Sequence, residues 1–167
     1  MKTDILIRPY QANDELACLE AFKSNVPLYF AENELEDYVR FLALYKSVHM
    51  QPQGIPTTYY FVLLYQQQIV ACGGFGDRYI DGNLTLTWGL VHHSFHKMGF
   101  GKALLLYRLN RIKELFPHAS LSIDTIQHSA GFFEKFGFQT IQITKDFYAK
   151  GLDRYDMVWS AQEERHV

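Results

Sequence analysis

The amino-acid sequence predicts an α/β (α+β) fold: a mixed, mostly antiparallel sheet of about six or seven strands flanked by about four helices, in a single domain spanning residues 1–167. Three observations carry this. Period-two apolar runs alternate with runs of helical spacing along the chain. Three strand-like runs follow one another between residues 59 and 91 with turn residues between them, the pattern of an antiparallel meander. A glycine-punctuated loop at residues 92–101 then leads into a helix and a further strand, the pattern of a crossover whose strands lie parallel.

Ile5 and Ile7 alternate with Leu6 and Arg8 in a first strand ended by Pro9, which has no N–H for a ladder. Asn13 is placed to cap a helix that carries Leu16, Leu19 and Phe22 on one face and is closed by Pro27. A second helix opens at Asn33, with Glu34, Glu36 and Asp37 at its positive end and Leu35, Tyr38, Val39, Leu42 and Tyr45 as its apolar stripe. Between the two, segment 25–32 holds Val26, Leu28, Tyr29 and Phe30 and is either packed in the core or a substrate wall. Residues 51–58, with Pro52, Gly54 and Pro56, read as a connection.

Residues 59–65 form a strand, 66–68 a turn and 69–76 a second strand. Asp81-Gly82 then makes a tight hairpin turn into residues 84–91, where Leu84, Leu86 and Trp88 alternate with Thr85 and Thr87. Beyond the loop, Leu105, Leu109, Ile112 and Phe116 have helical spacing and Pro117 stops the helix. A short strand at 121–125 and a short helix at 129–136, closed by Gly137, follow. Residues 138–144 and 155–159 are the last antiparallel pair, around Lys150-Gly151-Leu152-Asp153.

The composition narrows the partners. A net charge of −2 with dispersed basic residues offers no basic face for nucleic acid. No apolar run is long enough to span a bilayer and the first ten residues lack a secretory apolar core, so no membrane is expected and a reducing cytoplasm is the simplest compartment. Cys18 and Cys72 read as small buried hydrophobes, with a disulfide between them left open. The 13 Phe and 11 Tyr fill the core in the simplest reading and line an apolar groove in the other.

The loop His92-His93-Ser94-Phe95-His96-Lys97-Met98-Gly99-Phe100-Gly101 can aim backbone N–H groups, and the positive end of the next helix, at a phosphate. A dinucleotide-binding unit would want parallel strands before the loop, and a P-loop would want Ser or Thr where Ala103 stands. His92, His93 and His96 suggest a metal, but a phosphate cradle already accounts for the loop, and no metal is expected.

Residues His96 to Gly101 fit the pattern Gln/Arg-x-x-Gly-x-Gly/Ala, and from Val91 onward the longer Val-x-Pro-x-Tyr-Arg-Gly-x-Gly-Ile-Gly. Phe132-Phe133-Glu134-Lys135-Phe136-Gly137-Phe138 fits Phe-Tyr-Glu-Lys-x-Gly-Phe, and Gly151-Leu152-Asp153-Arg154-Tyr155-Asp156-Met157 fits Gly-Leu-Asp-Arg-x-x-Met. With these signatures in order, the chain resembles the GCN5-related N-acetyltransferase (GNAT) superfamily over essentially its full length. The resemblance implies a sheet splayed between the fourth and fifth strands and acetyl-CoA (coenzyme A) as co-substrate. It implies that amides of His96, Lys97, Met98, Gly99, Phe100 and Gly101, with Lys102 and Ala103 in the first helical turn, hold the CoA pyrophosphate. Leu90 and Val91 would bond the pantetheine arm and thioester carbonyl, flanked by Phe132 and Phe133. The implied activity is N-acetyl transfer to a primary amine of a small molecule or peptide, by direct attack in a ternary complex; a homodimer is compatible with the family.

Several residues depart from the family pattern. His96 replaces Arg or Gln, and Lys97 replaces a usual Gly, adding a cation and removing a flexible position. Phe133 stands where many members carry a Tyr that protonates the leaving thiolate, and a phenyl ring cannot donate. Ile126 stands for an Asn or Gln, and Thr85 and Thr87 occupy the strand phase where some members place a Glu base. The catalytic candidates are therefore His128, a proton relay or merely a helix cap, and Tyr148, which reaches the acyl site, lines the groove or only packs. Asp77 is a base acting through water or a solvated hairpin residue, and the acidic run 32–37 a helix start or an attractor of a cationic amine. Phe133 and Thr85 also favour an alternative of another class, an acyl-CoA-binding sensor or interaction protein that has lost catalysis.

Overall fold

The structure, a computed structural model, describes residues 4–47, 58–78 and 81–160. In chain order these form β1 (Ile5–Pro9), α1 (Glu15–Lys23), α2 (Glu34–Ser47), β2 (Thr58–Tyr65), β3 (Gln68–Gly76) and β4 (Leu84–Val91). There follow α3 (Phe100–Leu115), β5 (Ser120–Thr125), α4 (Gln127–Glu134), β6 (Gln139–Ala149) and β7 (Leu152–Ser160). The strands make one seven-stranded sheet in the order β1-β2-β3-β4-β5-β7-β6. The expected meander is β2-β3-β4, and β1 adds to its outer edge antiparallel to β2. Among the described strands only β4 and β5 run parallel, as the crossover through α3 requires.

Strand alternation sends each face of the sheet into its own core. Tyr60 and Val62 of β2 join Phe22 of α1 and Tyr38 and Leu42 of α2 on one side. Phe61 and Leu63 join Leu104, Leu105, Leu109 and Ile112 of α3 on the other. Cys18 and Cys72 lie buried in the first of these cores as free thiols, with Tyr38 Oη 3.2 Å from Cys72 Sγ.

Several expectations shift. The first helix is not capped by Asn13: a short 3-10 turn, Ala12–Asp14, precedes it, and Asp14 is the anchor. The Asp14 carboxylate accepts from both terminal nitrogens of Arg8 at 2.7 and 2.9 Å and from the Gln11 N–H at 2.8 Å. That anchoring rotates α1 so that Cys18, Ala21 and Phe22 face the sheet, leaving Leu16, expected on the buried face, 69% exposed. On α2, Tyr38 and Leu42 point inward while Val39 stays out. β3 ends at Gly76 and β4 starts at Leu84, too far apart for a two-residue hairpin, and the Asp77 carboxylate accepts from the N–H groups of Asp81 and Gly82. The connection expected at residues 51–58 lies almost wholly outside the described residues. Among the described residues no helix is long and apolar enough to cross a membrane.

Candidate active site

The cleft starts where the sheet opens. β4 and β5 pair only at Leu84 with Leu121 and Thr85 with Ser122, and beyond that point they separate. Two steps further, β4 carries a bulge: Cys72 faces Leu90 and Gly74 faces Thr87, so Trp88 and Gly89 stand opposite Gly73 alone. Trp88 holds the bulge with φ of 42°. The ladder resumes with the His92 N–H donating to Val70 C=O at 2.8 Å. By the alternation of an antiparallel ladder, the N–H and C=O of Val91 then point away from β3, into the splay. Val91 C=O is already used there, accepting from Asn25 Nδ2 and His96 Nε2 at 2.9 and 2.8 Å. Its N–H faces the cleft.

At one end of this opening lies the glycine loop. Gly99 is the N-cap of α3 with φ of 86°, and a side chain there would meet nothing within 4 Å, so the backbone is bare towards solvent. The first-turn amides of Phe100, Gly101 and Lys102 have no carbonyl one turn earlier to accept them, which leaves them free for an anion. Ala103, expected among the cradle amides, is not free: its N–H donates to Gly99 C=O at 3.1 Å, the first bond of the helix. Lys97, in place of the family's glycine, keeps the left-handed conformation glycine favours, with φ of 63°. Because a carbonyl only accepts, the His96 bond to Val91 fixes its Nε2 as the protonated nitrogen. Burial holds His96 below its usual pKa against the raising effect of that bond.

The other end is acidic. Segment 25–32 divides: Phe30 stacks on Phe22 in the core, while Tyr29 lines the cleft, its ring 5.1 Å from that of His96 and 6.0 Å from that of His128. Glu34, at the start of α2, accepts the Ala31 N–H at 2.8 Å through one oxygen. Burial, and after it the charges of Asp124 and Asp37, raises its pKa despite that bond. At the end of β5, Asp124 accepts from Tyr148 Oη at 2.8 Å and pairs with Arg78 at 3.2 Å. Burial and the neighbouring Asp124 raise the Tyr148 pKa, so its hydroxyl stays a donor. The β6–β7 turn that carries Tyr148 is fixed from α4, because Gln127 donates to Gly151 C=O and accepts from the Asp153 N–H.

The cleft between these two ends is a cavity of about 1030 Å³. Of the residues singled out in the sequence, the cleft wall holds Leu90, Val91, His96, Lys97, Gly99, Phe100, Gly101, Lys102, His128, Phe132, Phe133 and Tyr148. Met98 is exposed and Ala103 packs towards the α3 core, and neither lines it. His128 is the second residue of α4 and exposed, so capping is not its role: the N-cap position is Ile126. Leu86 and Trp88, not Thr85 and Thr87, line the cleft, from opposite sides of the sheet because the bulge breaks the alternation, and both threonines are buried. Asp77 spends its carboxylate on its own loop. Sequence reasoning passed over Asp124, Arg78 and Arg108. Arg108 alone left a trace: it stands four residues from both Leu104 and Ile112, a charge inside an apolar stripe.

The chain matches the family "Acetyltransferase (GNAT) domain" over residues 30–161. It therefore belongs to the GNAT acetyltransferase family. Among proteins of curated function no sequence matches it. Solved structures share its fold: yncA from Salmonella typhimurium, with its cofactor acetyl-CoA, has TM-score 0.72 at 16% identity and covers 95% of each chain. The Escherichia coli ribosomal-protein-S18-alanine N-acetyltransferase has TM-score 0.71 at 15% identity, covering 94% of each chain. A spermidine N-acetyltransferase SpeG chimera from Vibrio cholerae and hSSAT has TM-score 0.74 at 13% identity, covering 99% of this chain and 100% of that one.

Proposed function

We propose that this protein transfers the acetyl group of acetyl-CoA to a primary amine of a small, positively charged molecule or of a peptide, by direct attack with both substrates bound. The observation that carries this is the charge polarity of one cleft. Lys97 and Lys102 line the end with the free helix amides, and Glu34, Asp37 and Asp124, the last paired with Arg78, line the other. An anionic donor and a cationic acceptor thus have opposite ends of one cavity to bind.

The residues at the donor end fit CoA: bare backbone at Gly99, free first-turn amides and a lysine on each side of them suit a diphosphate. CoA would supply an acyl carbon activated as a thioester. The Val91 N–H, directed into the splay, would hold and polarise the thioester carbonyl, while Phe132 and Phe133 exclude water from the arm. At the acceptor end Glu34 would take the proton that makes an ammonium into a nucleophilic amine, since its raised pKa makes it a better base than an ordinary carboxylate. The amine nitrogen gains the acyl carbon as the carbon–sulfur bond breaks and loses its second proton to solvent, and the released thiolate takes its proton from solvent, because Phe133 has none to give. Tyr148 is assigned to orienting Asp124 rather than to acid catalysis, because its proton is committed there.

A thiol-release assay with acetyl-CoA and a panel of mono-, di- and polyamines and peptides tests the proposal. Release that depends on both substrates is expected. Tight CoA binding with no amine-dependent release would instead favour the sensor reading, to which the phenyl ring of Phe133 in the cleft wall already points.

A further inference from the structure

Arg108 lies on the inner face of α3, 4% exposed, beneath the sheet. Its guanidinium is pressed against the backbone at the bulge, where a Cβ on Gly73 would come within 3.2 Å of its Cζ and Nη1 and one on Gly89 within 3.1 Å of Nη1 and Nη2. Both positions are glycine, so the sheet leaves room for this group. It has no acidic partner among the described residues. Nε donates to Leu104 C=O at 3.4 Å and Nη1 to Gly74 C=O at 3.3 Å, both long bonds.

Nη2 makes no hydrogen bond to the described residues. The buried side-chain polar atoms left without a partner among the described residues are Tyr10 Oη, Asn25 Oδ1, Thr87 Oγ1 and Thr140 Oγ1, and Nη2 is not one of them. That nitrogen therefore reaches open space, and the space Arg108 lines is the cleft. Burial lowers the Arg108 pKa to about 10, so the group stays charged at neutral pH. A buried guanidinium without a counter-charge is unfavourable where a methionine would pack, and what offsets it is an anion.

Which anion is set by position. The diphosphate already has the α3 cradle at the outer end of β4. A carboxylate on the acceptor would have to pass Glu34, Asp37 and Asp124, which repel it. What remains is the inner end of the donor, beside the bulge, and Leu86, Leu104, Ile123 and Phe133 line the same cleft as this guanidinium. Apolar walls and one planar cation suit a short chain that ends in a carboxylate. We propose that Arg108 lets the cleft take a carboxyl-terminated acyl-CoA, malonyl or succinyl, and bind it more tightly than acetyl-CoA. This rests on reading the cleft as an acyl-CoA site.

Calorimetric titration of CoA, acetyl-CoA, malonyl-CoA and succinyl-CoA into the full chain and into Arg108→Met and Arg108→Lys tests it without any acceptor. At least one carboxyacyl-CoA should bind the unaltered protein about tenfold more tightly than acetyl-CoA, the size of a charge-assisted pair partly offset by desolvation. That ratio should fall to about one in Arg108→Met and be partly kept in Arg108→Lys. Equal binding of all acyl-CoAs to the unaltered protein, or a preference that survives both substitutions, overturns the role of Arg108 and leaves the acetyl-CoA reading standing. Failure of CoA and acetyl-CoA to bind at all overturns both. Should Arg108→Met not fold, the unaltered protein and Arg108→Lys decide alone.

Discussion

Gly99 turns the chain through a φ of 86° in front of three free amides, so the cradle depends on having neither a side chain nor a negative charge at that position. Gly99→Glu should weaken CoA binding more than tenfold by calorimetry, because it strains the left-handed turn and sets a carboxylate against the diphosphate. An unchanged affinity would remove the cradle assignment. His96 offers a pH test: burial holds its pKa below the usual 6.5, so the folded protein binds fewer protons than the unfolded chain as pH falls below that value. The stability it contributes is present above 6.5 and is lost as pH drops towards its folded pKa. An NMR titration of its ring should give a midpoint below 6.5. Glu34→Gln should lower kcat by about 10² while CoA affinity stays within about twofold, as expected for loss of a general base. Before substitution, kcat should fall on acidification with a limb above the ordinary Glu value of 4.5, since the base works only deprotonated.

At the scale of an element, α1 shows how one buried carboxylate sets the phase of a helix. Burial tends to raise the Asp14 pKa, but the Arg8 hydrogen bonds, the Gln11 N–H and the Arg8 charge outweigh it, leaving the group below its usual 3.8. The stability from Asp14 is thus present above that pH and is lost as pH falls through the folded value. Asp14→Ala removes the partner of Arg8 and the acceptor of the Gln11 N–H and should cost about 1–2 kcal/mol in a urea melt. The sequence pattern of α1 was readable as a helix but not in its rotation: Leu16, Leu19 and Phe22 have good helical spacing, and only the contact of Asp14 with β1, sequentially distant in its effect, decides that Cys18 faces the sheet instead. The strands were easier, because β2 to β4 are bounded by turn residues and covered on both faces, so that Tyr60 and Phe61 had no wrong side to choose. The loop between β3 and β4 was misread as tight because Asp81-Gly82 has hairpin chemistry, whereas Asp77 organises the wider turn from outside that pair.

For the whole molecule, the sheet is two parts, β1 to β4 and β5-β7-β6, joined through two residue pairs and the α3 crossover. A ligand lying in the splay contacts both parts, so saturation with CoA at a hundredfold its Kd should stabilise the fold by about 2.7 kcal/mol, seen as a rise of several degrees in Tm. The donor end of this site was legible in the sequence because it is contiguous, a loop and a helix start within ten residues. The acceptor end was not. Glu34 reads as a helix start, Asp124 as a strand end and Tyr148 as a turn residue, and they meet only because α2, β5 and the β6–β7 hairpin converge on the gap between β4 and β5. The chain's two tryptophans fall on opposite sides of this division of labour. Trp159 is sealed in the core against Phe138, whereas Trp88 stands on the bulge in the cleft wall, ringed by Phe22, Phe30, Tyr38 and Phe41. In a Trp159→Phe protein the remaining indole fluorescence would come from the cleft alone, so a change of emission on adding acetyl-CoA or an amine would report, before any turnover, whether that ligand enters the cleft.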